Sequence, residues 1–308
     1  MAQLLRTSRM TMIAHRRVHA SVWSLLVDVA HLGKLRISGM VVGVAYIGYV
    51  MAPGMSFALN GAVAATLAGI ALSCVGAGMF NQVMERDVDA QMPRTADRPV
   101  AAGRISPRVG LVLAAACTVG GLVILLSLTN VLTAGLTALT IASYALLYTP
   151  LKRITSLSTL IGAIPGALPP VLGYAAAAGA IDARAATMFA ILFFWQLPHF
   201  FAIAWIYEDQ YSHARVPMLP VVDDATGRRT FRQILVTTIA LLVAATLPTV
   251  IGMAGMLYLV GSTLAGLAFL AFAGALFIKR TRAHARAVFF ASLVYVPVIY
   301  ALMAIDKQ

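Results

Sequence analysis

The chain has 308 residues, of which 60% are hydrophobic and only 11% are charged, and its mean hydropathy is +0.87. Soluble domains carry roughly 25% charged residues, so this composition excludes an ordinary soluble domain. The net charge of +12 could indicate nucleic acid, but the basic residues are distributed between apolar segments, and we expect no nucleic-acid partner.

The chain begins with a basic segment. Residues 1–36 contain six Lys or Arg residues, and we interpret them as a basic N-terminal arm. Residues 1–27 contain four arginines and no acid, which is also typical of mitochondrial targeting segments. We favour the arm of a bacterial protein, which predicts the bacterial inner membrane rather than the mitochondrial inner membrane.

Nine apolar segments follow, each about 20 residues long, which is the length that a membrane-spanning helix needs. They lie at 37–56, 58–80, 109–128, 130–148, 157–178, 185–206, 233–252, 256–278 and 287–304. If the N-terminus is cytoplasmic, 21 of the 23 basic residues fall on the cytoplasmic side, as the positive-inside rule requires. We predict an all-α membrane protein in which residues 37–308 form a single nine-helix domain, with cytoplasmic active-site loops at about 81–108 and 207–232.

The first long loop carries acidic side chains at helical spacing. Asn81, Glu85 and Asp89 are four residues apart, so a helix places them along one face, whereas Asp87 points away. Mg²⁺ takes one or two carboxylates and fills its other positions with water and phosphate oxygens. Gln82 adds a polar group at the same level. The spacing predicts a site for Mg²⁺ and a phosphorylated substrate.

Basic residues accompany these acids. Arg94 and Arg98 are also four apart, and guanidinium groups bind phosphate oxygens bidentately. Surface ion pairs are the alternative, but charge is scarce here and the cluster lies where a span reaches the cytoplasm. Lys152 and Arg153 follow the fourth span beside Tyr148, where a topology signal alone would also explain two basic residues.

Three further features bear on the site. Glu208 and Asp209 can offer carboxylates to a second Mg²⁺, although an acidic pair at a helix end is common. Gln196 and His199 lie on one face of the sixth span, where polar groups are costly and often functional. His199 can ligate a haem iron or can be satisfied by a neighbouring helix. The Pro- and Gly-rich segment 157–174 is compatible with a cavity wall or with a kinked helix.

Taken together, these stretches resemble the UbiA-type intramembrane prenyltransferases, and within them the branch that farnesylates haem. The matching stretches are NQVMERDVDAQMPRTADRPVAAGRI, YTPLKRITSLSTLIGAIPGALPPVLGY, and FFWQLPHFFAIAWIYEDQY with VPMLPVV, which cover most of residues 78–222. The resemblance implies a helical bundle around a central cavity in membrane lipid. It also implies transfer of the farnesyl group of farnesyl diphosphate to a vinyl group of haem B, with addition of water, giving haem O and diphosphate. Haem A synthase or oxidase-assembly proteins are the implied protein partners.

The residues and the resemblance together lead to three sets of expected site residues. For catalysis they are Asn81, Glu85, Asp89, Arg94, Arg98, Lys152 and Arg153. For holding the diphosphate and the haem they are Gln82, Arg94, Arg98, Lys152, Arg153, Tyr148, Gln196 and His199. For Mg²⁺ they are Asn81, Glu85, Asp89, Glu208 and Asp209.

The chain departs from the family pattern at four positions. Gln210 stands where the pattern has Asp, Arg215 where it has Gly, Ser158 where it has Asn, and Tyr174 where it has Trp. The first departure leaves open whether Glu208 or Asp209 completes a second metal site, or whether Arg215 contacts phosphate directly.

Two other functions remain to be weighed. One is a prenyltransferase with another acceptor, such as an aromatic acid or chlorophyllide, which the motif around His199 disfavours. The other is a secondary transporter with broken helices. A transporter would concentrate its charges near the middle of the membrane, whereas nine of the eleven acids here lie on the predicted cytoplasmic side.

Overall fold

The computed structural model describes residues 22–308, and every regular element in that range is a helix. Residues 1–21, which form most of the predicted basic arm, lie outside the described residues. The helices are α1 (Val22–Leu32), α2 (Leu35–Val50), α3 (Gly61–Asp89), α4 (Pro107–Leu128), α5 (Val131–Leu151), α6 (Ser158–Ala178), α7 (Ala183–Ile206), α8 (Glu208–His213), α9 (Leu219–Val222), α10 (Arg228–Val250), α11 (Met256–Lys279) and α12 (Arg282–Ile305).

Each of the nine predicted spans coincides with one helix, so the nine-helix prediction is confirmed. Within residues 22–308, eight helices are long and apolar enough to cross a membrane: α3, α4, α5, α6, α7, α10, α11 and α12. The ninth, α2, is apolar but has only 16 residues, a rise of about 24 Å. The described part of the basic arm is also ordered, because α1 packs against α3 through Leu32 and Met79.

The main core lies around α7. Trp195 and Ile191 of α7 belong to one buried cluster with Phe231 of α10 and Tyr295 of α12. Large apolar side chains on the outer helix faces stay exposed, as lipid-facing residues should, and examples are Val112, Leu126, Val243 and Leu264. Because α7 contributes to this cluster, Gln196 and His199 lie on a helix at the centre of the bundle.

The two long loops are shorter than predicted. α3 continues to Asp89, so the loop predicted at 81–108 begins only at residue 90, and α10 begins at Arg228 rather than at 233. Hydropathy marks where α3 leaves the lipid, but the polar residues that follow are helix formers without Gly or Pro until Pro93. With 29 residues α3 is about 43 Å long, so its polar end extends beyond a hydrocarbon core of about 30 Å.

α6 is broken at its centre, as its prolines indicate. Its two segments, Ser158–Gly166 and Pro169–Ala178, meet at Ala167 and Leu168. The side chain of Gln196 on α7 donates from Nε2 to the Ala163 carbonyl oxygen over 2.7 Å. The same oxygen also accepts from the Ala167 backbone nitrogen over 3.1 Å, so Gln196 adds a second hydrogen bond beside the break.

Candidate active site

The C-terminal end of α3 buries three polar side chains on one face. The exposed fractions of Asn81, Glu85 and Asp89 are only 2%, 4% and 3%. Asp87, on the other side of the helix, is exposed and pairs with Arg86 at 3.3 Å. A buried carboxylate needs a cationic or metal partner, so Glu85 and Asp89 define the centre of the site.

Two cations from different loops meet these carboxylates. Lys152 Nζ lies 3.0 Å from Glu85 Oε1, and Arg98 Nη1 lies 2.7 Å from both carboxylate oxygens of Asp89. Arg98 Nη1 is also 4.0 Å from Glu85 Oε2, so one guanidinium lies between the two acids. The Thr95 hydroxyl donates to the Asp89 carbonyl oxygen over 3.0 Å and fixes the turn that carries Arg98.

The third cation, Lys34, was not among the predicted site residues. Its Nζ donates to Asn81 Oδ1 over 2.6 Å, and its backbone is left-handed, with φ of 51°. Burial, reinforced by the nearby positive charge of Arg98, lowers the pKa of Lys34 to about 8. The ammonium group is therefore in an environment where an added anion would stabilise it. In the sequence, Lys34 is one of several basic residues before the first span, and only its position beside α3 distinguishes it.

The loop after α5 supplies further basic and aromatic groups. Arg153 Nη2 donates to the Met84 carbonyl oxygen over 2.8 Å, next to the carboxylate cluster. The Tyr148 ring stacks on Tyr144 with a centroid distance of 5.3 Å, within a π-helical segment that ends at Tyr148. Such segments often occur at functional sites, because the extra residue redirects the following turn. Here the following turn carries Lys152.

Two of the predicted binding residues have structural contacts in the bundle. Gln82 Nε2 donates to the carbonyl oxygens of His31 and Leu32, at 2.8 and 3.1 Å, and so caps the end of α1. Gln196 Nε2 donates to the Ala163 carbonyl oxygen at the break in α6. Their amide nitrogens hold neighbouring backbone, although Gln82 Oε1 is buried without a hydrogen-bond partner among the described residues.

His199 is buried in an aromatic environment on α7. Its Nδ1 is 2.7 Å from Ser292 Oγ of α12, and its ring lies 5.2 Å from Trp195 and 5.0 Å from Phe289, measured between centroids. Because Nδ1 is engaged, Nε2 is the nitrogen that remains for a ligand. The prediction that His199 contacts haem stays a prediction.

The second acidic pair lies apart from the carboxylate cluster. Asp209 is exposed and forms an ion pair of 2.6 Å with Arg282 of α12. Burial, together with the neighbouring charge of Asp209, raises the pKa of Glu208. Gln210, where the family pattern has Asp, accepts a hydrogen bond from the Arg94 backbone nitrogen over 3.4 Å. A second metal site at this loop stays a prediction.

The predicted arginine pair is divided between two places. Arg98 lies at the carboxylates, whereas Arg94 turns toward the second loop, where its Nη2 donates to the Tyr211 hydroxyl over 2.9 Å. The Arg94 guanidinium also lies 4.6 Å above the centroid of the Tyr207 ring. Both arginines have helical spacing in the sequence, but residues 90–106 are a loop, so that spacing does not bring their side chains together.

The cluster has the chemistry of a Mg²⁺ and diphosphate site. In residues 22–308, no three His, Cys, Asp or Glu side chains form a group that could hold a metal alone. Mg²⁺ does not require such a group, because substrate phosphates supply its remaining ligands. Glu85, Asp89 and the Asn81 amide offer hard oxygen ligands, and the buried Gln82 Oε1 has no partner in the described chain. The residues therefore fit the ion.

Two departures from the family pattern lie on α6. The Tyr174 hydroxyl donates to Asp182 Oδ2 over 2.6 Å at the far end of α6, so it helps to hold the start of α7. Ser158 is fully buried at the start of α6, and its Oγ has no hydrogen-bond partner within the described range. Neither side chain hydrogen-bonds to the carboxylate cluster within the described residues.

Comparisons with known proteins bear on the family and the fold. Residues 41–294 match the model of the UbiA prenyltransferase family. A protein named protoheme IX farnesyltransferase from Solibacter usitatus is 46% identical over 79% of this chain and 82% of its own. The structure described as digeranylgeranylglyceryl phosphate synthase has a TM-score of 0.76, with 13% identity over 91% of this chain and 98% of its own. A UbiA homologue from Archaeoglobus fulgidus bound to GPP and Mg²⁺ has a TM-score of 0.61, with 14% identity over 90% of this chain and 99% of its own.

Proposed function

Because the chain belongs to the UbiA prenyltransferase family, we propose that it transfers a farnesyl group from farnesyl diphosphate to a vinyl group of haem B, giving haem O and diphosphate. The observation that carries this proposal is the pair of buried carboxylates, Glu85 and Asp89, in contact with Lys152 and Arg98 at the cytoplasmic end of a membrane helix. The name of the Solibacter usitatus relative supports haem as the acceptor.

The charges in the cluster suit a diphosphate leaving group. Three cations, Lys34, Arg98 and Lys152, surround two carboxylates, so the protein contributes an excess of positive charge. A diphosphate that enters with a cation can accept hydrogen bonds from these side chains. Charge that develops on the diphosphate as the allylic C–O bond breaks is then stabilised by groups already in position.

Mg²⁺ would be held by Asn81, Glu85 and Asp89, and when bound it would supply Lewis-acid stabilisation of the departing diphosphate. Lys152 and Arg98 would hold the other phosphate oxygens, and Arg153 would lie at the cytoplasmic edge. The farnesyl chain would extend from this cluster among the apolar helices, which exclude water from the allylic carbon. A vinyl carbon of haem B would then form a bond to that carbon, and water would add to the cation left at the neighbouring carbon and release a proton.

The main test is transfer of label in membranes or detergent. Incubation with haem B and labelled farnesyl diphosphate should place the label in a haem product, chelation of Mg²⁺ should stop the reaction, and added Mg²⁺ should restore it. Label in an aromatic acid or in chlorophyllide, with none in haem, would instead support another acceptor. Transport of a solute without transfer would support a transporter.

Asp89→Asn and Asp87→Asn form a matched pair of variants. Asp89→Asn removes a buried charge from the cluster, so we expect turnover to fall on the order of 10²–10³-fold. Asp87→Asn removes an exposed charge two residues away and should leave turnover near normal. Thermal unfolding in detergent checks that both variants fold. Near-normal turnover of folded Asp89→Asn would contradict the site.

The protein is a multi-pass membrane protein, and its relatives include bacterial proteins, which supports the bacterial inner membrane as its location. Haem O carries a long apolar farnesyl chain and is poorly soluble in water, so we expect direct transfer to a second membrane protein, such as haem A synthase or an oxidase-assembly protein. Crosslinking in native membranes, followed by identification of haem-containing partners, tests this expectation.

A further inference from the structure

A cleft lies between α7, α12 and the first loop. Its volume is about 240 Å³, and its walls contain the guanidinium groups of Arg94 and Arg286. Three aromatic rings, those of Tyr207, Phe289 and Phe290, and two isoleucines of α7 form the rest of the lining. The lining contains two positive charges, aromatic surface and no acidic side chain.

The charge of Arg286 is available to a ligand. Asp209 of the second loop already pairs with Arg282, which lies one turn before Arg286 on α12. No ion pair or hydrogen bond involves the Arg286 side chain within residues 22–308. The Arg94 guanidinium is positioned by a hydrogen bond to the Tyr211 hydroxyl and by a cation–π contact with the Tyr207 ring.

The cleft connects the two substrate regions. Tyr211, the hydrogen-bond partner of Arg94, shares a buried cluster with Met92, and Val88, the residue before Asp89, packs against that cluster. On the other side, Phe289 of the cleft wall lies 5.0 Å from the buried His199 ring. A ligand with its anionic groups at the arginines therefore has its apolar body between the donor site and α7.

The volume limits what part of a ligand the cleft can hold. At about 240 Å³ it is smaller than the roughly 300–1,000 Å³ of sites that enclose a whole small molecule. It suits one edge of a larger, flat ligand. Arginine forms planar bidentate pairs with carboxylates, and aromatic rings stack on flat apolar surfaces.

We propose that this cleft binds the carboxylate edge of the porphyrin acceptor, with Arg94 and Arg286 as partners of its propionate groups. This proposal rests on the proposed function, because it takes haem B as the acceptor. It assigns Arg94 to the acceptor, whereas the sequence had grouped Arg94 with the phosphate ligands. An anionic lipid headgroup would also pair with two arginines, and the experiment separates the two ligands.

The test compares Arg286→Gln with Arg108→Gln, each of which removes one exposed positive charge from the cytoplasmic face. Arg286→Gln should raise the KM for haem B on the order of ten-fold or more, with the KM for farnesyl diphosphate unchanged. Arg108, at the start of α4, is outside the cleft, so its variant should keep both values. Arg94→Gln should have the same effect as Arg286→Gln. If Arg94→Gln instead raises only the KM for farnesyl diphosphate, Arg94 binds the diphosphate and not the acceptor.

The dimethyl ester of haem B gives the decisive comparison. The ester lacks the carboxylates, so wild type should use it poorly and Arg286→Gln should cause no further loss. If Arg286→Gln reduces the use of the ester as much as it reduces the use of haem B, the proposal is wrong. An effect of Arg286→Gln that appears only in nanodiscs containing anionic lipid would assign the arginine to a headgroup and would also overturn it.

Binding distinguishes failure of this site from failure of the proposed function. Haem B binding can be followed by its absorption spectrum without any transfer. If no transfer to haem B occurs but Arg286→Gln still weakens haem binding relative to the ester, the site stands and the reaction is wrong. If transfer occurs and Arg286→Gln changes neither binding nor KM, the reaction stands and the site is wrong.

Discussion

At the scale of single residues, the second loop shows how one substitution changes the local energetics. Arg215 occupies the position where the family pattern has Gly, and its φ is +54°. Glycine adopts this left-handed conformation without penalty, whereas a residue with a Cβ pays about 1–2 kcal/mol. The glycine of the pattern is therefore explained by backbone conformation, and the arginine at this position is strained.

Arg215→Gly should raise the free energy of unfolding by about 0.5–1 kcal/mol, since relief of strain exceeds the added flexibility of the unfolded chain. Thermal unfolding in detergent measures the change. Arg215→Ala, which removes the charge but keeps the Cβ, is the control and should not stabilise the protein. If Arg215→Gly instead raises the KM for farnesyl diphosphate several-fold, Arg215 contacts phosphate.

At the scale of helices, the bundle depends on close crossings. α2 and α6 meet at Gly48 and Gly173, where an added Cβ would lie 2.0 Å from the Pro170 carbonyl oxygen and 1.8 Å from the Ala45 carbonyl oxygen, respectively. Small residues permit such approaches, which replace the hydrophobic effect as a source of helix association in lipid. Apolar composition alone does not reveal which of the 24 glycines are at crossings.

Gly48→Ala and Gly43→Ala test this crossing on one helix. The first places a methyl group against backbone and should cost about 1–3 kcal/mol or more of stability. The second meets no atom within 4 Å and should be neutral, or stabilising by up to about 1 kcal/mol. Unfolding of both variants in the same detergent gives the comparison. Equal stability of the two would contradict a tight crossing at Gly48.

At the scale of the whole molecule, the C-terminus joins the first and last spans. Lys307 Nζ donates to the carbonyl oxygens of Val50, Ala52 and Met55, at 2.6, 2.9 and 2.7 Å. Asp306 Oδ2 accepts from the Tyr258 backbone nitrogen over 2.7 Å and so holds the start of α11. These contacts close the bundle on the side opposite to the carboxylate cluster.

Lys307→Met should therefore destabilise the protein by about 1–3 kcal/mol, because three carbonyl oxygens at the end of α2 lose a charged donor. Arg184→Met is the matched control, since it removes the other outward-facing basic residue predicted by the sequence. Both changes alter the charge of that face equally. A similar loss of stability in the two variants would show that the change in charge, rather than the loss of the Lys307 hydrogen bonds, is responsible.

The sequence alone determined the nine apolar helices and the carboxylate face of α3. These features are local: a helix satisfies its own backbone hydrogen bonds, and lipid demands about 20 apolar residues for each crossing. The prediction that Asn81, Glu85 and Asp89 share one face is confirmed because they lie on a single continuous helix. Hydropathy misplaced only the loop boundaries, since it marks where the chain leaves lipid and not where a helix ends.

The tertiary structure alone decided which cations meet those carboxylates and which residues serve another role. Lys34 reaches Asn81 across 47 positions of the chain, and Arg94 separates from Arg98 because the segment between them is a loop. Gln82 and Gln196 are as polar as any ligand in the sequence, yet their amide nitrogens satisfy neighbouring backbone. Such contacts depend on how helices rotate and cross, and that is set by the packing of all of them together.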